Sequence, residues 1–186
     1  MTPTTDEVGW ARNVAASRLA PLGQRWAHTL GVVEQARAFA LVLPSTELEM
    51  LVAAAYVHDV GYAPALARTG FHPLDGAQFL RALGRERIAC LVAHHSGARV
   101  EAEERGHLEG LEEFAEELSV LGDALTYCDL TTDASGATVS VSARLREIVD
   151  RYGRRHPVGR AIERCRDDLL LRSRAVEHAL KSRSRG

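Results

Sequence analysis

The chain has 186 residues, a length that suits one domain with a sizeable core. Hydrophobic residues make up 46% of it and aromatic residues only 5%, a composition typical of packed helices rich in Ala, Leu and Val. The net charge is −2 with both signs interspersed, which argues against nucleic acid or an anionic membrane as the main partner. The sequence shows neither a basic N-terminal stretch followed by an apolar one nor a run of 18 apolar residues, so we expect a soluble, cytoplasmic protein.

Apolar residues follow a helical spacing through almost the whole chain. Pro21 and Gly23 separate the first predicted helix from the second, which Pro44 ends. Residues 131–142 form a loop-like stretch rich in Thr, Ser, Gly and Asp, and residues 138–141 are the one short strand candidate. The predicted helices span residues 5–19, 24–42, 47–59, 73–83, 85–95, 108–118, 122–130, 142–152 and 158–180. The pattern therefore predicts an all-α fold.

Several ionisable residues lie on the apolar faces of these predicted helices. In the third helix, apolar residues at helical spacing lead to Asp59, and those at neighbouring positions lead to His58. In the seventh helix, the apolar stripe leads in the same way to Asp129. In the fifth, it leads to His95, with His94 beside it. We therefore expect these five side chains to point into the core.

An ionised carboxylate in an apolar interior costs several kcal/mol unless something replaces its lost hydration. Two such aspartates could share protons, pair with arginines, or bind a cation. No Lys or Arg lies on the stripes next to Asp59 or Asp129, whereas several histidines do. Taken singly, a core-facing histidine is more often a hydrogen-bonded structural residue, and an aspartate at a helix end is often a cap. Since imidazole and carboxylate together are the usual ligands of Zn, Mn, Fe or Ni, the combination favours a metal site.

His28 and His72 are two further histidines to be considered with these residues. In chain order, the whole set resembles the motifs of the HD-domain superfamily of metal-dependent phosphohydrolases. The flanking residues agree with its five motifs over about residues 24–130. The matching segments are RWAH at 25–28, AYVHDVG at 55–61, HPLDGA at 72–77, LVAHHS at 91–96 and YCD at 127–129. The resemblance implies a single compact HD-like bundle over residues 1–186, with this metal-binding core, C-terminal helices at 142–180 packing on it, and a frayed tail at 181–186.

The resemblance implies one or two divalent ions, which would be Mn, Fe, Ni, Co or Zn, with Mg also compatible. Carried over residue by residue, it assigns the first ion to His28, His58, Asp59 and Asp129. In members with two ions, Asp59 would bridge them, and His72 with His94 or His95 would bind the second. Comparison with relatives favours His94 as this ligand, whereas helix phase leans slightly towards His95.

The implied activity is hydrolysis of a phosphate ester of a small, nucleotide-like substrate by water that the metal activates. Three residues are the predicted catalytic groups: Asp59 at the metal, Arg25 as a phosphate clamp one turn before His28, and His95 as the spare histidine that protonates the leaving oxygen or binds phosphate. Many relatives carry a Lys or Glu three or four positions after the doublet aspartate. Here those positions are Tyr62 and Ala63, so a mechanism that needs an acidic base there is in doubt.

Two alternatives stay open at this point. Some dinuclear relatives use paired irons and oxygen to cleave a C–C or C–P bond, and a third possibility is a non-catalytic module that binds a nucleotide or holds a structural metal. We expect a small phosphate-containing molecule as the partner, with nucleic acid and membrane excluded as main partners. The sequence leaves the oligomeric state open.

Overall fold

The structure is a computed structural model that describes residues 6–183. Within that range the chain is helical almost throughout, which confirms the all-α prediction. Residues 138–141 do not form a strand; the one extended pairing in the described range is an isolated antiparallel bridge between Thr132 and Thr138. The helices are α1 (Glu7–Leu19), α2 (Gln24–Arg37), α3 (Ser45–Val57), α4 (His72–Ala82), α5 (Glu86–Ala93), α6 (Ala98–Arg105), α7 (Leu108–Glu112), α8 (Val120–Leu130), α9 (Val141–Tyr152) and α10 (Pro157–Arg183).

Helix α3 lies at the centre of the fold. Every residue from Leu51 to Val57 is buried, because this segment is apolar around the whole circumference of the helix. It packs against α1, α2, α5 and α8. The two residues that follow it, His58 and Asp59, therefore emerge in the interior, where side chains from several helices meet.

The end of α3 differs from the prediction in a way that matters for these two residues. The helix stops at Val57 rather than at Asp59, and Val60–Tyr62 forms a 3₁₀ turn. Gly61 permits this turn to lie against the start of α4, because a Cβ at that position would be 2.1 Å from the carbonyl oxygen of His72. The close approach brings His72 next to the end of α3.

A second, smaller apolar cluster joins the C-terminal helices to the rest. It is built around Leu130, Leu145 and Leu169, and α10 packs against α6, α8 and α9. Tyr127 of α8 contacts both this cluster and the larger one around α3. Helix α8 thus contacts both apolar clusters.

Other differences from the predicted elements concern polar stretches. Residues 98–105, which had no clear helical pattern, form α6, and α7 ends at Glu112 rather than at residue 118. Helix α10 runs to Arg183, past the predicted end at residue 180, and the frayed tail stays a prediction; residues 184–186 and the predicted helix start at residue 5 lie outside the described range. None of the described helices combines the length and the apolar character that crossing a membrane requires.

Candidate metal centre

Six ionisable side chains from five parts of the chain converge in the interior. They form two groups of three, and within each group the candidate ligand atoms lie within 4.8 Å of one another. The first group is His28, His58 and Asp129, and the second is Asp59, His72 and His95. The groups adjoin each other, since Asp59 Oδ2 lies 3.4 Å from His58 Nε2 and 3.8 Å from His28 Nε2.

Backbone carbonyls fix the orientation of three of the four rings. A carbonyl oxygen only accepts a hydrogen bond, so the ring Nδ1 that contacts it carries the proton, and Nε2 of a neutral ring keeps its lone pair. Metal-binding histidines are commonly held in this way. The three pairs are His28 Nδ1 with Asp133 O at 2.9 Å, His58 Nδ1 with Ala55 O at 2.8 Å, and His95 Nδ1 with Val92 O at 2.6 Å.

The inward-facing atoms are mostly acceptors at short range. His28 Nε2 lies 3.0 Å from Asp129 Oδ1 and 3.4 Å from His58 Nε2. Atoms with lone pairs repel at these distances unless a proton or a cation lies between them. Ligands about 2.1 Å from a tetrahedrally coordinated ion are about 3.4 Å apart. The residues present therefore fit the divalent ion that the sequence predicted.

Both carboxylates and two of the rings have protonation states that agree with this interpretation, whereas Asp59 raises the pKa of His58. Burial by itself would raise the pKa of Asp59, but Arg25 and then His58 hold it well below its usual value. The pKa of Asp129 is likewise lowered, because His28 outweighs the effect of burial. Burial lowers the pKa of His72 and that of His95 below 6.5. At neutral pH both carboxylates are anionic and these two rings are neutral, as metal ligands must be.

Arg25 reaches the cluster from α2. Its Nη1 donates a hydrogen bond of 2.6 Å to Asp59 Oδ2, and its guanidinium carbon lies 3.9 Å from the centroid of the Tyr62 ring. Tyr62 in turn stacks on His72, with ring centroids 4.0 Å apart. The stripes compared residues within one helix and so showed no arginine next to Asp59, whereas Arg25 comes from another helix.

The structure does not bring His94 into the cluster. Helix α5 ends at Ala93, and Ser96 adopts a left-handed conformation with φ 51°, so the two histidines do not continue a regular helix. His94 Nε2 contacts the carbonyl oxygen of Phe114 at 2.8 Å. His95 instead enters the cluster, with its ring centroid 5.5 Å from that of His58 and 5.4 Å from that of His72.

Two supporting groups were not assigned a role from the sequence. Ser96 donates a short hydrogen bond through Oγ to Asp129 Oδ2, and its own N–H donates to Thr126 Oγ1 at 3.1 Å. Its place directly after the histidine pair is the only signal that could have indicated it. The carbonyl of Asp133, which holds His28, leaves no signal in a side-chain pattern.

The loop after α8 packs beneath the cluster. A Cβ on Gly31 would lie 2.5 Å from the carbonyl oxygen of Gly136, so the loop and α2 touch backbone to backbone. This close contact places the Asp133 carbonyl at His28. The loop therefore supports a ligand, a role that its composition did not indicate.

The cluster opens onto a cleft of about 600 Å³. Asp59, His72, His95 and Asp129 line one part of it, together with Arg25 and Tyr62. Helices α9 and α10 contribute Arg144, Ile148, Arg151, Tyr152, Val158 and Ile162, and the remaining lining residues are Pro73, Ser96, Ala98, Glu101 and Leu130. A small molecule in this cleft would meet both ligand groups.

Comparison with known proteins identifies the family. The family model described as HD domain matches residues 25–132, which is more than half of the chain and includes all six cluster residues. Among curated proteins no sequence matches the chain, and among solved structures none does either. The family binds divalent metals, and the His and Asp groups found here are able to do so. The chain belongs to the HD-domain family.

Proposed function

We propose that this protein is a metal-dependent phosphohydrolase that cleaves a phosphate ester of a small, nucleotide-like molecule. One observation carries the proposal: two adjoining groups of metal ligands lie at the wall of an open cleft, with the cation of Arg25 beside them. Divalent ions held by these ligands, together with Arg25, would suit an anionic substrate. Membership of the HD-domain family supports a hydrolase that depends on metal.

We assign one ion to His28, His58 and Asp129 and a second to Asp59, His72 and His95. Asp59 Oδ2 lies 3.4 Å from His58 Nε2 and 3.8 Å from His28 Nε2, so Asp59 would help to hold the first ion as well. Manganese, iron, nickel, cobalt and zinc all accept these ligands, and magnesium is compatible with them. When bound, such ions lower the pKa of coordinated water and neutralise charge on the phosphoryl oxygens.

Arg25 binds a phosphoryl oxygen in this proposal. A guanidinium has five N–H donors, and one of those of Arg25 is used at Asp59. The stacked ring of Tyr62 holds the guanidinium plane in place, so donors are oriented before the substrate arrives. Such preorganised donors stabilise charge that develops in the transition state.

With His95 assigned to an ion, we do not assign it the role of the spare proton donor that the sequence suggested. Its Nδ1 proton is held by the Val92 carbonyl, and its Nε2 cannot both bind an ion and carry a proton for the leaving group. Burial and then Asp59 raise the pKa of Tyr62 well above 10.0, so its hydroxyl stays protonated. We therefore assign hydrogen-bond donation in the cleft to Tyr62, and no role as a base.

The test begins with elemental analysis of protein purified without chelator. Phosphate release is then measured over nucleotides and simple phosphoesters with several divalent metals. We expect release that depends on metal and falls by at least about a hundredfold in Asp59→Asn, whereas Asp150→Asn, an exposed carboxylate on α9, retains it.

Two results would contradict the proposal. Bound iron with oxygen uptake on a polyol or phosphonate, and no phosphate release from esters, would identify an oxygenase. Tight nucleotide binding without turnover under any metal would identify a binding module.

A further inference from the structure

Part of the cleft wall comes from α9, which lies outside the residues that match the HD-domain model. Arg144 and Arg151 of this helix both line the cleft. They are seven positions apart, a spacing that places two side chains on one face of a helix. Helix α9 therefore presents two guanidinium groups to the same cavity as the metal ligands.

Arg144 is buried without a full set of partners. The residue is 5% exposed, and its Nε has no hydrogen-bond partner among the described residues. Its Nη1 donates to Glu147 Oε2 at 2.5 Å. Burying a guanidinium costs free energy unless its donors are paired. The Arg144 side chain thus lies in the wall of the cleft, and its Nε–H donor has no partner among the described residues.

The acidic partner on α9 is shared. Glu147 also accepts a hydrogen bond from Arg151 through its other oxygen. One carboxylate between two guanidinium groups leaves a net positive charge on this face of α9. The two arginines also line an adjoining cavity of about 250 Å³, together with Arg25 and Gln24. The positive charge accordingly extends from Arg25 beside the metal ligands to α9.

We infer that Arg144 and Arg151 form a second anion subsite, which binds a phosphoryl group other than the one at the metal centre. Arginine suits this task because its planar donors match phosphate oxygens in pairs. The substrate class is then an organic phosphate that carries at least two phosphoryl groups. Apolar side chains in the same cleft, Ile148, Val158 and Ile162, supply a surface for its non-polar part.

This inference deepens the proposed function and rests on it only for the first phosphoryl group. A binding measurement tests the second subsite separately from hydrolysis. The probes are methylphosphonate and methylenediphosphonate, which have no ester to hydrolyse. Each is titrated by calorimetry into protein loaded with metal and freed of excess ions by gel filtration, and metal content is checked after the titration. The variants are Arg144→Gln and Arg151→Gln, with Arg146→Gln, an exposed arginine of the same helix, as the matched control.

We expect the unaltered protein to bind methylenediphosphonate more tightly than methylphosphonate. Losing a hydrogen-bonded charge should weaken the diphosphonate by about ten- to a hundredfold in each α9 variant, with little change for methylphosphonate. Arg146→Gln should match the unaltered protein. Arg151 is more exposed than Arg144, so its variant decides the matter if Arg144→Gln does not fold.

Equal losses for both probes would overturn the inference, because they would mean that α9 contacts a single phosphoryl group. Unchanged affinity in the α9 variants would overturn it as well. If diphosphonate binding depends on these arginines but no ester releases phosphate, the subsite stands and the proposed hydrolysis fails. If esters release phosphate and the variants bind diphosphonate normally, the proposed hydrolysis stands and the subsite fails.

Discussion

His28 Nε2 lies 3.0 Å from Asp129 Oδ1, although the opposite nitrogen of the same ring already contacts the Asp133 carbonyl. In the neutral ring these two facing atoms both carry lone pairs, and His28 itself is 1% exposed. A cation between them removes the repulsion. The pair connects α2 to α8, so an ion held there also ties two helices of the core together.

Removing the metal should therefore destabilise the fold. A ligand present at a hundred times its Kd stabilises the native state by about 2.7 kcal/mol. We expect chelation to lower the thermal midpoint by several degrees, as measured by scanning calorimetry, and re-addition of metal to restore it. In Asp129→Asn the midpoint should respond less to chelator, because only the ion of the group formed by Asp59, His72 and His95 remains. A full response in that variant would show that the stabilising ion binds elsewhere.

Ser96 is expected to tune metal affinity without contacting the ion. Its hydroxyl holds Asp129 Oδ2, and loss of such an outer partner weakens metal binding by about ten- to a hundredfold. Ser96→Ala should show this loss in a competition assay with a chelating dye. The control is Ser17→Ala, an exposed serine of α1. Equal affinity in both variants would mean that Asp129 needs no help from Ser96.

Gly136 should be intolerant of a side chain for a reason beyond its backbone conformation. Gly136 has φ 86° and Gly153 has φ 85°, so alanine is strained at both. A Cβ at Gly136 would lie 2.5 Å from the carbonyl oxygen of Ala27, whereas one at Gly153 would meet nothing within 4 Å. We expect Gly136→Ala to lower the free energy of unfolding by about 1–3 kcal/mol more than Gly153→Ala does.

Denaturant titration measures both variants. Gly136→Ala should also weaken metal binding, because the displaced loop carries the carbonyl that orients His28. Equal destabilisation by the two substitutions would show that the loop can shift away from α2 at little cost.

Acidification should destabilise the metal-free protein. Burial holds the pKa of His72 well below 6.5 and that of His95 below it, so near pH 6 the unfolded chain binds more protons at these positions than the folded one. His58 acts in the opposite direction, because Asp59 outweighs burial and raises its pKa. Two rings gain protons on unfolding and one loses them. We therefore expect the thermal midpoint to fall as the pH is lowered from about 7.5 to about 5.5.

His72→Gln should reduce this pH dependence, whereas His178→Gln, at an exposed position of α10, should retain it. Thermal melts over a series of buffers measure both. A midpoint that rises on acidification would contradict the assignment of buried neutral rings.

The sequence predicted most of the fold, since apolar spacing within a helix indicates which face is buried. The same spacing indicated His58, Asp59, His95 and Asp129, and the family resemblance added His28 and His72. His28, His58, Asp59, His72 and Asp129 all lie in the cluster. That all 186 residues fold as one domain stays a prediction.

The choice between His94 and His95 was close because the chain breaks at this point: it leaves α5 after Ala93, and Ser96 turns left-handed. Comparison with relatives favoured His94, whereas helix phase leaned towards His95, which enters the cluster. Contacts between distant segments were also out of reach. Arg25 at Asp59 and the Asp133 carbonyl at His28 join residues 34 and 105 positions apart, which no local pattern indicates.

The most direct test of the two-group metal centre compares neighbouring residues, His95→Gln and His94→Gln. Metal content per chain is measured by elemental analysis after purification without chelator. The geometry predicts two ions per chain in the unaltered protein and in His94→Gln, and the loss of one ion in His95→Gln, because only His95 belongs to a ligand group. Loss of metal in His94→Gln with full content in His95→Gln would contradict it.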